Sequence, residues 1–114
     1  MTDAQTQRIF EALADPTRRA LLRHLCEEGS GTTTKLAARF PMSRQAVTKH
    51  LQTLAEAGLV TFQERGRERQ WEPHPESLQA ATSWIAEIEA RWDQRLTALR
   101  RYLMQDQPED SSGD

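Results

Sequence analysis

The sequence predicts a mainly α-helical domain that carries one small β-hairpin. Three observations support this fold class. Apolar residues recur at intervals of three or four along most of the chain, which is the period of an amphipathic helix. Residues that start or stop helices, such as Asp15-Pro16, Gly29 and Gly58, separate the helical segments. Between Leu59 and Glu72 the pattern changes to two short strand-like runs around a glycine turn.

The first two helices are predicted from their apolar spacing and from the residues between them. Residues 6–14 form the first helix, with apolar side chains on one side. Asp15-Pro16 then starts a second helix, because aspartate is a good N-cap and proline fits the first helical position. This second helix covers residues 16–28 and stops at Gly29.

Two short helices follow, separated by a tight turn at Pro41-Met42-Ser43. Gly29-Ser30-Gly31 is expected to be a loop, and Thr34 is expected to cap the first short helix. Ser43 caps the second short helix, which Gly58 ends because glycine tolerates the left-handed turn beyond a helix. This spacing is typical of a helix-turn-helix.

The hairpin is predicted directly after this helix. Leu59-Val60-Thr61-Phe62 and Arg69-Gln70-Trp71-Glu72 are the two strand candidates. Arg65-Gly66-Arg67-Glu68 is the turn, in which Gly66 can take a positive φ. Two short strands after the second helix of a helix-turn-helix form a wing, so the sequence predicts a winged helix-turn-helix.

The last predicted element is a long helix that runs from Ser77 to about Gln105, with an apolar stripe along it. The predicted order is therefore α-α-α-α-β-β-α, with residues 1–105 as a single domain for DNA binding and dimerisation. Residues 106–114 lack apolar content and are expected to form a disordered acidic tail.

Composition and charge set limits on the class of protein. The chain has 114 residues, the size of one small domain, and no apolar run reaches the roughly 20 residues that span a bilayer. The first residues lack the pattern of a secretory signal, so we expect a cytoplasmic protein with no membrane partner. The single cysteine, Cys26, excludes an intramolecular disulfide framework.

The net charge of −2 is unevenly distributed. Between Gly29 and Ala55 the charged residues are all basic: Lys35, Arg39, Arg44 and Lys49. The residues after Arg101 are acidic or neutral. Because the local field matters more than the sum, this distribution is compatible with a DNA-facing surface on a nearly neutral body.

The helix that Ser43 caps has two unlike faces. Its first turns carry Arg44, Gln45, Thr48 and Lys49, and the opposite side is apolar. A short helix with hydrogen-bonding and positive groups at its exposed N-terminal end suits the major groove of DNA. The alternative interpretation is a solvated amphipathic helix without a ligand.

Signatures of an enzyme are missing from the sequence. It contains no glycine-rich phosphate loop, no nucleophile elbow and no paired carboxylates in apolar surroundings. His24 and Cys26 are two residues apart on a helix, so they point in different directions and make a poor catalytic pair. We therefore expect a protein that is not an enzyme.

Three segments carry a family resemblance. Residues 12–25 read ALADPTRRALLRHL, residues 36–60 read LAARFPMSRQAVTKHLQTLAEAGLV, and residues 65–71 read RGRERQW. Together they closely resemble the ArsR (SmtB-like) family of bacterial repressors, over about residues 5–104. The resemblance implies a homodimeric repressor that binds double-stranded DNA.

Members of this family pair through their first and last helices. The corresponding residues here are Ile9, Phe10, Leu13, Ile85, Ile88, Trp92, Leu96 and Leu99. A small domain cannot easily shield a long apolar stripe, which independently indicates a partner. A two-fold dimer presents two recognition helices to an inverted-repeat operator, with half-sites about one helical turn apart.

Residues on the helix and in the hairpin are expected to contact DNA. They are Ser43, Arg44, Gln45, Thr48, Lys49, Arg65, Arg67 and Arg69. Gln45 suits a bidentate pair with adenine, and Arg44 suits guanine or phosphate. Ser43, Thr48 and Lys49 are expected at phosphates, and the wing arginines at the minor groove or the backbone. Strand alternation directs only some of these arginines towards DNA.

The chain departs from the metal-sensing members of the family. Where many relatives have a Cys-x-Cys pair, the matching positions are Thr32 and Thr34, whose hydroxyls are poor ligands for thiophilic metals. The predicted last helix contains no histidine, and the three histidines of the chain have no spacing of a closed zinc site. We expect no metal and no cofactor, and Cys26 is interpreted as a small buried apolar residue.

Two alternatives stay open at this stage. The tryptophan-bearing stripe of the last helix either packs in a dimer or lines a pocket for an unidentified small-molecule inducer. The net acidity and the mixed charge of the hairpin also allow a winged-helix protein-interaction module without specific DNA binding.

Overall fold

The structure, a computed structural model, describes residues 3–106 of the chain and confirms a mainly helical fold with a small sheet. Its elements are α1 (Asp3–Leu13), α2 (Pro16–Glu28), β1 (Gly31–Thr32), α3 (Thr33–Arg39), α4 (Arg44–Glu56), β2 (Val60–Arg65), β3 (Glu68–Pro73), a 3-10 turn (Pro75–Leu78) and α5 (Gln79–Asp106). They form two compact units, of which the first ends at Ala81 and the second begins at Thr82. Most of the predicted acidic tail lies outside the described residues.

Helix α2 has the predicted bounds, and both of its caps are as expected. The Asp15 carboxylate accepts hydrogen bonds from the backbone N–H groups of Thr17 at 2.7 Å and Arg18 at 3.1 Å. The Arg18 bond is the largest cause that holds the pKa of Asp15 below its ordinary value, and the Thr17 bond and the charge of Arg18 act in the same direction. At the other end Gly29 has a φ of 87°, and its N–H donates to the Leu25 carbonyl at 2.7 Å.

The prediction that Thr34 caps α3 is wrong. Thr32 is the N-cap, and its hydroxyl accepts from the Lys35 backbone N–H at 3.2 Å. The helix therefore begins at Thr33, directly after the β1 strand, and Thr34 lies in its first turn. This leaves the Thr34 side chain available for a contact elsewhere.

Both ends of α4 follow the sequence pattern. The Ser43 hydroxyl accepts from the Ala46 backbone N–H at 3.0 Å, which confirms Ser43 as the N-cap. Beyond the last helical residue, Glu56, Gly58 takes a φ of 80°. The N–H of Leu59 then donates to the Leu54 carbonyl at 2.9 Å, so the carbonyls of the last turn are satisfied.

The sheet has three antiparallel strands in the order β1-β3-β2. The hairpin strands are longer than predicted, because Arg65 pairs with Glu68 and only Gly66 and Arg67 form the turn. Gly66 has the expected positive φ, 63°, which suits a two-residue hairpin turn. Gly31, which the sequence places in a loop, instead begins β1. The sequence does not indicate this strand, because two residues that pair with Gln70 and Trp71 carry no alternating pattern of their own.

The core of the first unit is built from one face of each helix and from the inner side of the sheet. Its fully buried large side chains are Trp71, Ile9, Leu21, Leu25, Leu36, Leu51, Leu54, Leu59, Val47 and Val60. Trp71 donates from its Nε1 to the Thr33 Oγ1 at 2.9 Å, and its ring lies 5.0 Å from the ring of Phe62. This bond joins the hairpin to α3 inside the core.

Two predictions of burial are corrected by this core. Cys26 is exposed, because it follows Leu25 by about 100° around α2 and so turns away from the core. Ile9, expected at a dimer interface, is fully buried inside the first unit. Ile9 therefore has no exposed surface with which it could contact a partner.

The second unit is the rest of α5, which begins two residues later than predicted because a 3-10 turn precedes it. Along it Ile85, Ile88, Trp92 and Leu99 are exposed, and Leu96 is half-buried. Within residues 3–106, no helix is both long and apolar enough to cross a membrane.

Candidate nucleic-acid interface

An open groove of about 710 Å³ lies between α4 and the hairpin. Its lining residues are Thr33, Arg44, Gln45, Thr48, Lys49, Gln52, Arg67, Glu68 and Arg69. Six of the eight residues predicted to contact DNA are among them. The lining includes four basic side chains and one acidic side chain, so the groove has an excess of positive charge.

The α4 wall of the groove is a single polar face. Gln45, Thr48, Lys49 and Gln52 are spaced by three or four residues and therefore lie on the same side of the helix. Gln45, Lys49 and Gln52 are exposed, whereas Val47, Leu51 and Leu54 on the other side are fully buried. The buried side fixes α4 to the core and presents the polar side to solvent.

Gln52 is a groove residue that the sequence reasoning missed. It lies seven residues after Gln45, which is two helical turns, and so extends the same face by about 10 Å. The seven-residue spacing from Gln45 is the sequence signal that could have identified Gln52 as a groove residue. Its amide has the same donor and acceptor capacity as that of Gln45.

Ser43 lies at the edge of this surface and acts as the cap of α4. Its hydroxyl accepts from the Ala46 N–H, and Ser43 is exposed but does not line the groove. Its own proton remains available for donation. The structure thus gives Ser43 a structural role and leaves its contact with DNA a prediction.

Arg44, the first residue of α4, is joined to the hairpin through α3. One of its guanidinium nitrogens, Nη1, donates to the Thr34 hydroxyl at 3.4 Å. That hydroxyl in turn donates to the Glu68 carboxylate at 2.6 Å. The three side chains come from α3, α4 and β3, so this short chain of hydrogen bonds connects both walls of the groove.

The three wing arginines have different surroundings. Arg67 is at the tip of the hairpin and lines the groove. Arg69 also lines it, but its guanidinium carbon lies 4.2 Å from the centre of the Phe62 ring and its Nε lies 3.7 Å from a Glu64 oxygen. Arg65 is opposite Glu68 and does not line the groove. Arg67, Glu68 and Arg69 are consecutive and all line the groove, so strand alternation by itself does not account for this division.

The positions matched to a Cys-x-Cys pair have other roles in this chain. Thr32 caps α3, and Thr34 bonds to Glu68. Among the described residues, no group of three or more His, Cys, Asp or Glu side chains has an arrangement that holds a metal ion.

Comparisons with known proteins agree with this geometry. Residues 13–61 match the family model described as a helix-turn-helix domain. The chain is 34% identical over 107 residues to the HTH-type transcriptional regulator Rv2034 of Mycobacterium tuberculosis, a match that covers 94% of this chain and 91% of that protein. It is 29% identical over 77 residues to the transcriptional repressor SdpR of Bacillus subtilis, covering 68% of this chain and 84% of that one.

A solved structure extends the likeness to the fold. The ArsR-like transcriptional regulator from Rhodococcus sp. RHA1 superposes with a TM-score of 0.75 at 35% identity, over 87% of this chain and 92% of that chain. These relatives are transcriptional regulators, a class of proteins that are not enzymes. The chain belongs to the ArsR family, and it is a DNA-binding transcriptional regulator with a winged helix-turn-helix fold.

Proposed function

We propose that this protein is a homodimeric repressor that binds an inverted-repeat operator without the help of a metal ion. The observation that carries the proposal is the groove between α4 and the hairpin, with its single polar face and its excess of basic side chains. The similarity to SdpR, which is named a transcriptional repressor, supports repression as the outcome of binding.

In this proposal α4 enters the major groove of DNA. Gln45 pairs with an adenine edge, because a glutamine amide matches the donor and acceptor pattern of that base. Lys49 and Thr48 contact phosphates and set the position of the helix on the duplex. Arg67, at the tip of the hairpin, contacts the DNA backbone or the minor groove. Arg65 and Ser43, which lie outside the groove, contribute as phosphate contacts at its margin.

The proposed dimer forms through the apolar stripe of α5. Ile85, Ile88, Trp92, Leu96 and Leu99 follow one another at intervals of three or four residues, and Trp92 is 60% exposed. Large exposed apolar stripes on a soluble protein mark an interaction surface, and a helix face of this kind suits a second copy of itself. Phe10, which is exposed, and Leu13, which packs partly on the core, are further predicted contacts.

The proposed repressor does not respond to metal. The hydroxyls of Thr32 and Thr34 bond to protein groups, and a hydroxyl is a weak ligand for the soft metals that a thiolate pair binds. Packing against a second copy accounts for the exposed residues of the α5 stripe without a pocket for a small-molecule inducer.

The test is a binding titration of the purified protein with a duplex that it selects from a randomised pool. Competition by random duplex, a salt series, and parallel titrations with and without a chelator complete the experiment. We expect a specific complex that contains two protein copies, that weakens steeply with salt because phosphate contacts release counterions, and that is indifferent to the chelator.

Other results of this titration contradict the proposal. If no sequence is enriched from the pool, and the protein shows no preference between the selected and random duplexes, the result points instead to a protein-interaction module. Loss of binding with the chelator contradicts the metal-independent part, and a complex with one protein copy contradicts the dimer.

A further inference from the structure

The groove contains one acidic side chain, Glu68, and that side chain is held in a fixed relation to Arg44. Glu68 accepts from the Thr34 hydroxyl at 2.6 Å, and the same hydroxyl accepts from Arg44 Nη1 at 3.4 Å. A carboxylate among basic DNA-facing residues opposes the attraction of phosphate. Its hydrogen bond with Thr34 indicates a different role.

The direction of these two bonds is determined by the chemistry of the groups. A guanidinium has donors only, an ionised carboxylate has acceptors only, and a threonine hydroxyl has a single proton. Thr34 must therefore give its proton to Glu68 and can offer only lone pairs to Arg44. Donation to a carboxylate makes the hydroxyl oxygen a better acceptor, so the two bonds strengthen each other.

We propose that Thr34 and Glu68 are positioning residues, which hold the Arg44 guanidinium in one orientation and thereby sharpen the distinction between the operator and other sequences. The hydrogen bond from Nη1 to Thr34 favours one orientation of the guanidinium at the groove. Ordering such a side chain before binding reduces the rotamer entropy that is lost when it contacts DNA. This inference rests on the proposed function and on the prediction from the sequence that Arg44 contacts guanine or phosphate in the operator.

The proposal predicts that Glu68 acts in opposite directions on affinity and on discrimination. Removing its charge with Glu68→Gln raises the affinity for random DNA, because one negative charge leaves the groove. The same change weakens the orientation of Arg44 and so lowers the ratio of operator affinity to random-DNA affinity. If Glu68 acted only through its charge, Glu68→Gln would raise the affinities for the operator and for random DNA together.

The experiment measures this ratio for the full-length protein with the selected operator duplex and a random duplex. The variants are Thr34→Val, which keeps the shape of the side chain, Glu68→Gln and Arg44→Ala, alone and in pairs. Glu72→Gln, four residues along β3, is matched to Glu68→Gln in charge, and Thr61→Val is matched to Thr34→Val in shape. Circular dichroism checks that each variant folds.

We expect Thr34→Val to lower the ratio about three- to tenfold, as is typical for residues coupled by contact. In the Arg44→Ala background the same substitution should cause no further loss, because there is no guanidinium left to orient. Glu68→Gln should lower the ratio while it raises random-DNA affinity. The two control variants should leave the ratio unchanged.

Independent effects of Thr34→Val and Arg44→Ala, or an unchanged ratio with Glu68→Gln, would overturn the inference. If Thr34→Val does not fold, the cycle of Glu68→Gln with Arg44→Ala measures the same coupling. A wild-type protein that prefers its operator but shows no coupling refutes only this inference. A wild-type protein without any preference refutes the proposed function as well.

Discussion

The buried hydrogen bond between Trp71 and Thr33 offers a direct test of how the wing is attached to the domain. Trp71 is fully buried, Thr33 is 9% exposed, and the indole N–H lies 2.9 Å from the threonine oxygen. Trp71→Phe removes the donor and leaves a buried hydroxyl without it, at a cost of about 1–3 kcal/mol. The smaller ring also leaves unfilled space, which adds about 1–2 kcal/mol.

The conservative change on the other partner isolates the hydrogen bond. Thr33→Val keeps the shape of the side chain and leaves the indole N–H unpaired, so it should cost about 1–3 kcal/mol. The double variant leaves neither group unpaired. Its cost should fall below the sum of the two single costs by about 1–2 kcal/mol.

The assay is urea unfolding followed by circular dichroism, because the substitution of Trp71 alters the fluorescence signal. Protein concentration is kept constant, since unfolding of a dimer depends on it. Thr61→Val, an exposed position on β2, should change the free energy of unfolding by less than about 0.5 kcal/mol. Additive single costs, or a negligible effect of Thr33→Val, would show that this bond does not hold the wing in place.

Three further predictions concern DNA binding, assembly and pH. Gln45→Ala should weaken operator binding by about 1–3 kcal/mol and relax sequence preference. Lys49→Ala should weaken binding of operator and random DNA alike, and reduce the slope of log affinity against log salt concentration by about 1. Equal losses on both duplexes for Gln45→Ala would contradict its role in reading a base. Trp92→Glu should give monomers in sedimentation experiments, and a variant that still dimerises would place the interface elsewhere. Because the pKa of Asp15 is lower in the folded protein, its carboxylate stabilises the fold above pH 3.8, the pKa of the unfolded state. This stabilisation is lost as pH falls through the pKa of the folded state. Asp15→Asn should therefore lose less stability on acidification than the wild type, and identical acid profiles would contradict this cause.

Local features of the sequence predicted most of the fold. The bounds of α2 followed from Asp15-Pro16 and Gly29, since capping and termination depend on backbone groups within a few residues. The polar face of α4 was predictable for the same reason, because helical periodicity alone places Gln45 and Lys49 together. The family resemblance rested on these local patterns as well.

Side-chain contacts between distant segments required the tertiary structure. Thr34 and Glu68 are 34 residues apart, and no local pattern indicates that their side chains bond. The same applies to β1, which exists as a strand because β3 lies beside it.

The sequence by itself determined which segments form the helices, where α2 and α4 begin and end, and which side of α4 is polar. These properties depend on capping, on hydrophobic period and on turn residues, all of which act over a few positions. The tertiary structure decided that Ile9 packs in the core, that Cys26 faces solvent, and that Arg44 is connected to the wing through the Thr34 hydroxyl. These outcomes depend on which surfaces meet when the elements pack, and packing joins residues that the chain keeps far apart.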